Sequence, residues 1–171
     1  MEKGYIHVYT GNGKGKTTAA FGLALRAVCA GKKVYIGQFV KGMKYSETKA
    51  EKYLTGLKIE QLGRSCFIER EPEKEDIDAA KSGLEKCRKI LTEGKYDIVI
   101  LDEINIALFF KLITVKEVLD MLEKRAPHVE VILTGRYAPQ EIIDVADLVT
   151  EMKEIKHYYN KGVIAREGIE N

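Results

Sequence analysis

Most features that announce a specialised protein class are missing from this chain. The three cysteines, Cys29, Cys66 and Cys87, are scattered and form no C-x-x-C pair, which argues against a zinc ribbon. Without such spacing they read as reduced, partly buried thiols of a cytoplasmic protein. Like charges do not gather. The 28 Lys and Arg residues face 26 Asp and Glu, for a formal net charge of +2, so nucleic acid is not expected as a partner. No apolar run is long enough to span a bilayer, so no membrane is expected either. Met1-Glu2-Lys3-Gly4 leads straight into a strand-like segment, without a signal peptide. No linker, repeat or low-complexity stretch interrupts the chain. His7, His128 and His157 lack metal-ligand spacing. No Ser-His-Asp set or nucleophilic cysteine motif is visible.

What is present is regular. The 171 residues, 45% hydrophobic and 32% charged, fit one domain over 1–171 with a proper core. Strand-like and helix-like segments alternate. Strands are expected at Tyr5–Tyr9, Lys33–Phe39, Lys58–Leu62, Asp97–Leu101, Glu130–Thr134 and Leu148–Met152, the last read as a core strand. Helices are expected at Thr17–Ala30, Ser46–Leu57, Glu73–Thr92, Thr114–Arg125 and Pro139–Ala146. Thr114 and Glu117 form a capping-box pattern. Asp97–Leu101 is apolar on both faces, as a strand inside a parallel sheet must be. The pattern predicts an α/β fold, a mostly parallel sheet with helices on both faces. Ligands of such sheets sit at the carboxyl ends of the strands.

Thr10-Gly11-Asn12-Gly13-Lys14-Gly15-Lys16-Thr17-Thr18 lies between the first strand and the first helix. Three glycines in five residues let the backbone curl with its N–H groups inward. The helix after Gly15 adds its positive end. Lys16 supplies a cation for the outer phosphates, and Thr17 offers a hydroxyl to Mg2+. The usual phosphate-loop pattern begins with Gly, where this chain has Thr10, but its Gly-Lys-Thr end is intact. A single-domain P-loop NTPase fold that binds ATP or a close relative is therefore expected.

Asp102-Glu103 follows the apolar strand and matches the Walker B arrangement, a carboxylate that holds Mg2+ directly or through water. Spacing does not say which of the two meets the metal. Thr134-Gly135-Arg136 ends another core strand and reads equally as a simple turn or as one whose Arg136 reaches phosphate or substrate. Arg26 reads first as a solvated or snorkelling side chain, with a nucleotide contact as the alternative. Lys41-Gly42-Met43-Lys44-Tyr45-Ser46 reads as a ligand-facing loop or a helix start, and His157 as an ordinary surface residue.

The whole chain resembles the P-loop type of ATP:corrinoid adenosyltransferase, a RecA-like fold. The resemblance rests on Thr-Gly-Asn-Gly-Lys-Gly-Lys-Thr-Thr-Ala-Ala (10–20), Gly-Leu-Ala-Leu-Arg-Ala (22–27), Gln-Phe-Val-Lys-Gly (38–42), Leu-Asp-Glu-Ile-Asn (101–105), Leu-Thr-Gly-Arg (133–136), Ala-Asp-Leu-Val-Thr-Glu-Met (146–152) and Lys-His (156–157). It implies transfer of the adenosyl group of ATP to Co(I) of a reduced corrinoid, with tripolyphosphate released, in adenosylcobalamin biosynthesis or salvage. It implies that Gly11–Thr17 take the phosphates, with Asn12, Lys14 and Thr18 alongside. Thr17 and Glu103 hold Mg2+, and Arg26 becomes a nucleotide contact. Lys41 and Phe67 are the corrinoid-side candidates. A flavoprotein reductase partner and a homodimer are also implied. The family's Gly-x-Gly-Phe-Thr-Trp stretch stands here as Gly63-Arg64-Ser65-Cys66-Phe67-Ile68, with Ile68 in the Trp place. The N-terminal extension of many relatives is not expected here. The competing classes are a nucleoside kinase, a RecA-like ATPase and a non-catalytic ATP-sensing module.

Overall fold

The computed structural model describes residues 2–40, 46–64 and 71–170. Strands β1 (Ile6–Thr10), β2 (Val34–Gln38), β3 (Leu57–Gln61), β4 (Ile98–Asp102), β5 (Glu130–Thr134) and β6 (Leu148–Glu151) form one sheet. Their order is β3-β2-β4-β5-β1-β6, and every pairing is parallel. The helices are α1 (Lys16–Cys29), α2 (Lys74–Glu93), α3 (Ile104–Phe109), α4 (Val115–Glu123) and α5 (Gln140–Val145). This is the expected α/β architecture. No helix among the described residues is long and apolar enough to cross a membrane.

Two apolar clusters sandwich the sheet, and β4 shows why. Its Ile98 and Ile100 pack with Ala20, Ala24 and Ala27 of α1, while Val99 and Leu101 join a cluster built from α2, α3 and α4. A strand buried on both faces can alternate nothing, so it reads as a continuous apolar run. The alanine face of α1 lets that helix lie close to the strands, which holds the loop before it against the sheet. α2 buries Ala80, Leu84, Cys87 and Leu91 at helical spacing. It ends at Gly94, whose φ of 62° suits a residue without Cβ. The Thr114–Glu117 capping box that opens α4 forms in both directions.

Three expectations change. The helix expected over Ser46–Leu57 is a 3-10 helix, Ser46–Lys52, with no buried residue. Its sequence Ser-Glu-Thr-Lys-Ala-Glu-Lys has no apolar stripe to pack, so nothing extends it into a longer α-helix. The expected core strand at Leu148–Met152 is an edge strand instead. β6 is exposed along its whole length and comes last in the sheet order, paired with β1. Burial of a strand needs neighbours and a covering layer, and composition does not supply them. Finally, α3 falls between the expected strand and the expected helix. At six residues it is too short to show a helical period, yet it buries Ile104, Asn105, Ala107 and Leu108.

Candidate active site

The glycine-rich loop runs from the end of β1 into α1. Gly15 adopts a φ of 120°, and a Cβ there would meet nothing, so its role is conformational. Gly11 and Gly13 answer to a different demand. A Cβ at Gly11 would lie 2.5 Å from the Met152 carbonyl oxygen, and one at Gly13 would lie 2.7 Å from it. Gly13 N donates to that oxygen at 2.6 Å, and Met152 N donates to Thr10 O at 2.8 Å. The chain leaving β6 therefore packs directly on the loop, through glycines that the sequence assigned to loop curvature alone.

Lys16 is the first residue of α1 and is only 7% exposed. Its ammonium donates to Gly13 O at 2.8 Å. Burial pushes its pKa down; Glu103 and Asp102 pull it up, and Arg136 opposes them. A buried cation resting on a loop carbonyl gains stability when an anion arrives.

The two adjacent carboxylates part company. Asp102 is fully buried. One of its oxygens accepts from Thr17 Oγ1 at 2.9 Å and from Thr134 Oγ1 at 2.7 Å. The other accepts from Gln38 Nε2 at 3.1 Å. These donors come from α1, β5 and β2, so the network ties three elements to the end of β4. Thr134 in turn accepts from Glu103 N at 3.0 Å. Among the described residues, the buried Gln38 Oε1 has no hydrogen-bond partner. Glu103 takes a left-handed φ of 61° as it caps α3, a conformation that costs energy for a residue with a Cβ and clusters at functional sites. That turn carries Glu103 to the wall of a cavity that Asp102 does not line.

The cavity has a volume of about 800 Å³. Asn12, Gly13, Lys14, Gly15, Lys16, Thr17 and Thr18 form its floor, with Glu103 and Arg136 on one side. Gly135 reaches this end with φ 129°, and Asn105 Nδ2 donates to its carbonyl at 3.2 Å. Phe21 and Leu25 of α1 face Ala50 and Leu54 across an apolar cleft. His157 also lines the cavity, with Gly168, Ile169 and Glu170. Gly11 is not on the wall. Arg26 is exposed and also off the wall; at Tyr9, which burial raises, the Arg26 charge acts the other way. Lys41 and Phe67 lie outside the described residues.

Some contacts of the site had no signal in the sequence. Gln38 reads as one more strand residue until the β2–β4 register sets it opposite Asp102. The Lys14 ammonium is engaged by the far end of the chain, at Tyr158, Ile169 and Glu170. Taken together, the floor can hold a polyanion, and Thr17 with Glu103 offers hard oxygen donors to a small divalent cation.

Residues 2–171 match the family described as ATP:corrinoid adenosyltransferase BtuR/CobO/CobP. The chain belongs to that family. It is 40% identical to a corrinoid adenosyltransferase of Sinorhizobium sp. over 173 residues, covering 99% of this chain and 81% of the relative. It is 36% identical to the corrinoid adenosyltransferase CobA of Salmonella typhimurium over 169 residues, covering 99% and 86%. It is 33% identical to a corrinoid adenosyltransferase of Pseudomonas aeruginosa, covering 99% and 84%. Like the other members of the ATP:corrinoid adenosyltransferase family, the chain is an enzyme of the transferase class.

Proposed function

We propose that this chain moves the 5′-deoxyadenosyl group of ATP onto Co(I) of a reduced corrinoid and releases tripolyphosphate. The observation that carries this reading is the cavity floored by residues 12–18 and flanked by Glu103, in a chain of this family. The Co(I) electron pair forms the Co–C5′ bond while the C5′–O bond breaks. The departing electron pair leaves with the tripolyphosphate, and cobalt ends as Co(III). The chain supplies no nucleophile of its own, because the substrate's metal is the nucleophile.

The chain's work is electrostatic and positional. Negative charge develops on the leaving phosphate chain, where the loop N–H groups from Gly11 to Thr18, Lys16 and Arg136 stabilise it. The same contacts fix C5′ for in-line attack. The residues fit Mg2+: a hydroxyl and a carboxylate, both hard oxygen donors, with waters and phosphates to complete the shell. Thr17 and Glu103 would hold it, and the bound ion would neutralise part of the triphosphate charge. Asp102 acts one step back, accepting from Thr17 so that its oxygen is a better ligand. Among the described residues, Gln38 Oε1 is an unpartnered buried acceptor in the same network and would be free to accept from a water brought in with the ion.

The reading extends to what surrounds the site. The whole of 1–171 works as one unit, in the cytoplasm and as a homodimer. Arg26 contacts the nucleotide, Phe67 and Lys41 meet the corrinoid, and a flavoprotein reductase supplies the Co(I) state. The reaction serves adenosylcobalamin biosynthesis or salvage. The test is anaerobic incubation with ATP, Mg2+ and chemically reduced cob(I)alamin, followed by corrinoid absorbance. A light-sensitive alkyl-cobalt product with stoichiometric tripolyphosphate is the expected result. ATP binding without that product would overturn adenosyl transfer.

A further inference from the structure

Lys14 sits in the middle of the loop that floors the cavity, yet its ammonium is spent elsewhere. It donates to Glu170 Oε1 at 2.7 Å, to the Tyr158 hydroxyl at 3.0 Å and to the Ile169 carbonyl at 3.0 Å. Glu170 is held from a second side by Arg166, through the backbone N at 2.9 Å and the guanidinium at 3.2 and 3.3 Å. The Tyr158 hydroxyl hydrogen-bonds the same carboxylate. Its ring lies under both cations, with the Lys14 ammonium 5.7 Å and the Arg166 guanidinium 5.1 Å from its centroid. One carboxylate thus joins the loop to a segment more than 140 residues away in sequence.

That segment is part of the cavity. His157, Gly168, Ile169 and Glu170 form one of its walls. Among the described residues, little else ties the segment down. The 3-10 helix Tyr158–Lys161 buries no residue, and Ile164 is 78% exposed. Resting on the assignment of the triphosphate to this loop, we infer that residues 157–170 form a strap latched to the loop by Lys14 and Glu170. The strap walls the cavity and holds the loop in its nucleotide-binding shape. Lys14 and Glu170 are positioning residues: the Lys14 backbone faces the phosphates, and its side chain fastens the wall. The charge balance decides between a latch and a competing anion. A lone carboxylate beside the phosphates would repel them, but Glu170 is matched by two cations, Lys14 and Arg166. It therefore adds no net negative charge to the phosphate end.

The test uses the full chain with Glu170→Gln, Lys14→Met and Lys14→Arg. Calorimetry reads MgATP affinity without corrinoid, and hydrogen exchange reads residues 157–170. Melting temperatures confirm that the variants fold. Glu170→Gln and Lys14→Met should each weaken MgATP binding by about fivefold, as expected for a networked surface ion pair. Both should speed exchange in the strap, and in turnover KM for ATP should rise more than kcat falls. Lys14→Arg should restore affinity and protection. Unchanged affinity in both variants, with normal binding by the wild type, would overturn the latch. Tighter binding by Glu170→Gln would also overturn it and make Glu170 a competitor of phosphate. If the wild type binds no MgATP, the nucleotide reading itself fails and the latch falls with it.

Discussion

Two carboxylates brace the cavity, Asp102 buried behind it and Glu170 on its outer wall, and each accepts at least three hydrogen bonds. Asp102 takes its bonds from two hydroxyls and an amide, with no exposed surface. Glu170 takes its bonds from a lysine, an arginine and a tyrosine at the surface. The inner network is neutral-donor and dry, so each bond lost leaves a buried group unpaired. The outer network is ionic and wet, so water and salt replace what is lost. The same cavity therefore has a buried network behind it that specifies geometry and an outer wall that can yield.

The largest effect should come from Lys16→Ala. Removing the one buried cation of the floor should weaken MgATP binding by about 100-fold or more, since charge-assisted contacts to phosphate are among the strongest available. Near-native affinity in calorimetry would place the phosphates elsewhere. Next, Asp102→Ala should break the buried network itself. Thr17, Thr134 and Gln38 would each lose an acceptor, costing about 3 kcal/mol and lowering Tm by roughly 6–12 °C. Glu103→Gln sharpens the contrast between neighbours. Its stability should change by no more than about 0.5 kcal/mol, while half-saturation by Mg2+ in the transfer assay should rise about tenfold. Equal Tm losses for Asp102→Ala and Glu103→Gln would erase the distinction drawn between them.

The smallest effects belong to the outer wall. The cations and hydroxyl around Glu170, Arg166 foremost, then Lys14 and Tyr158, hold its carboxyl well below the usual carboxylate range. A depressed folded pKa gives a contribution that is present above the unfolded value of about 4.3 and is lost only as pH falls through the folded one. Exchange protection of the strap should thus persist unchanged from pH 7 to pH 5. Raising ionic strength at pH 7 should erode it, whereas protection of β4 should not move. Loss of both together would mean that the strap and the core open as one unit.

The parts of the site that could be read from sequence are those whose chemistry is local. The Gly-Lys-Thr end of the loop needs only consecutive residues to curl a backbone and place a cation. The apolar run of β4 followed by two acids carries its burial and its strand end in six letters. Elsewhere the information is topological. Leu148 and Val149 have the composition of core residues and become exposed because β6 is last in the sheet order. Gly11 and Gly13 are required by Met152, which no local pattern couples to them. Which acid turns inward depends on a left-handed residue at Glu103 and on donors from β2 and β5. The Lys14 latch depends on a pairing between opposite ends of the chain, and a lone lysine in a loop carries no trace of it.

The core holds one more group whose behaviour follows from its placement. Cys87 of α2 is wholly buried, and burial pushes its thiol up to about 12. Its sulfur lies 3.3 Å from where a Cβ on Gly37 of β2 would be, under the sheet. Cys29, at the end of α1, is exposed. An alkylating reagent at neutral pH will therefore reach the exposed Cys29 readily and a reactive thiolate at Cys87 almost never. With Cys29 and Cys66 replaced, the rate of Cys87 modification becomes a clock for α2 lifting from the sheet. Running that clock with and without nucleotide would show how far ligand binding at one edge of the sheet slows the breathing of the layer beneath it.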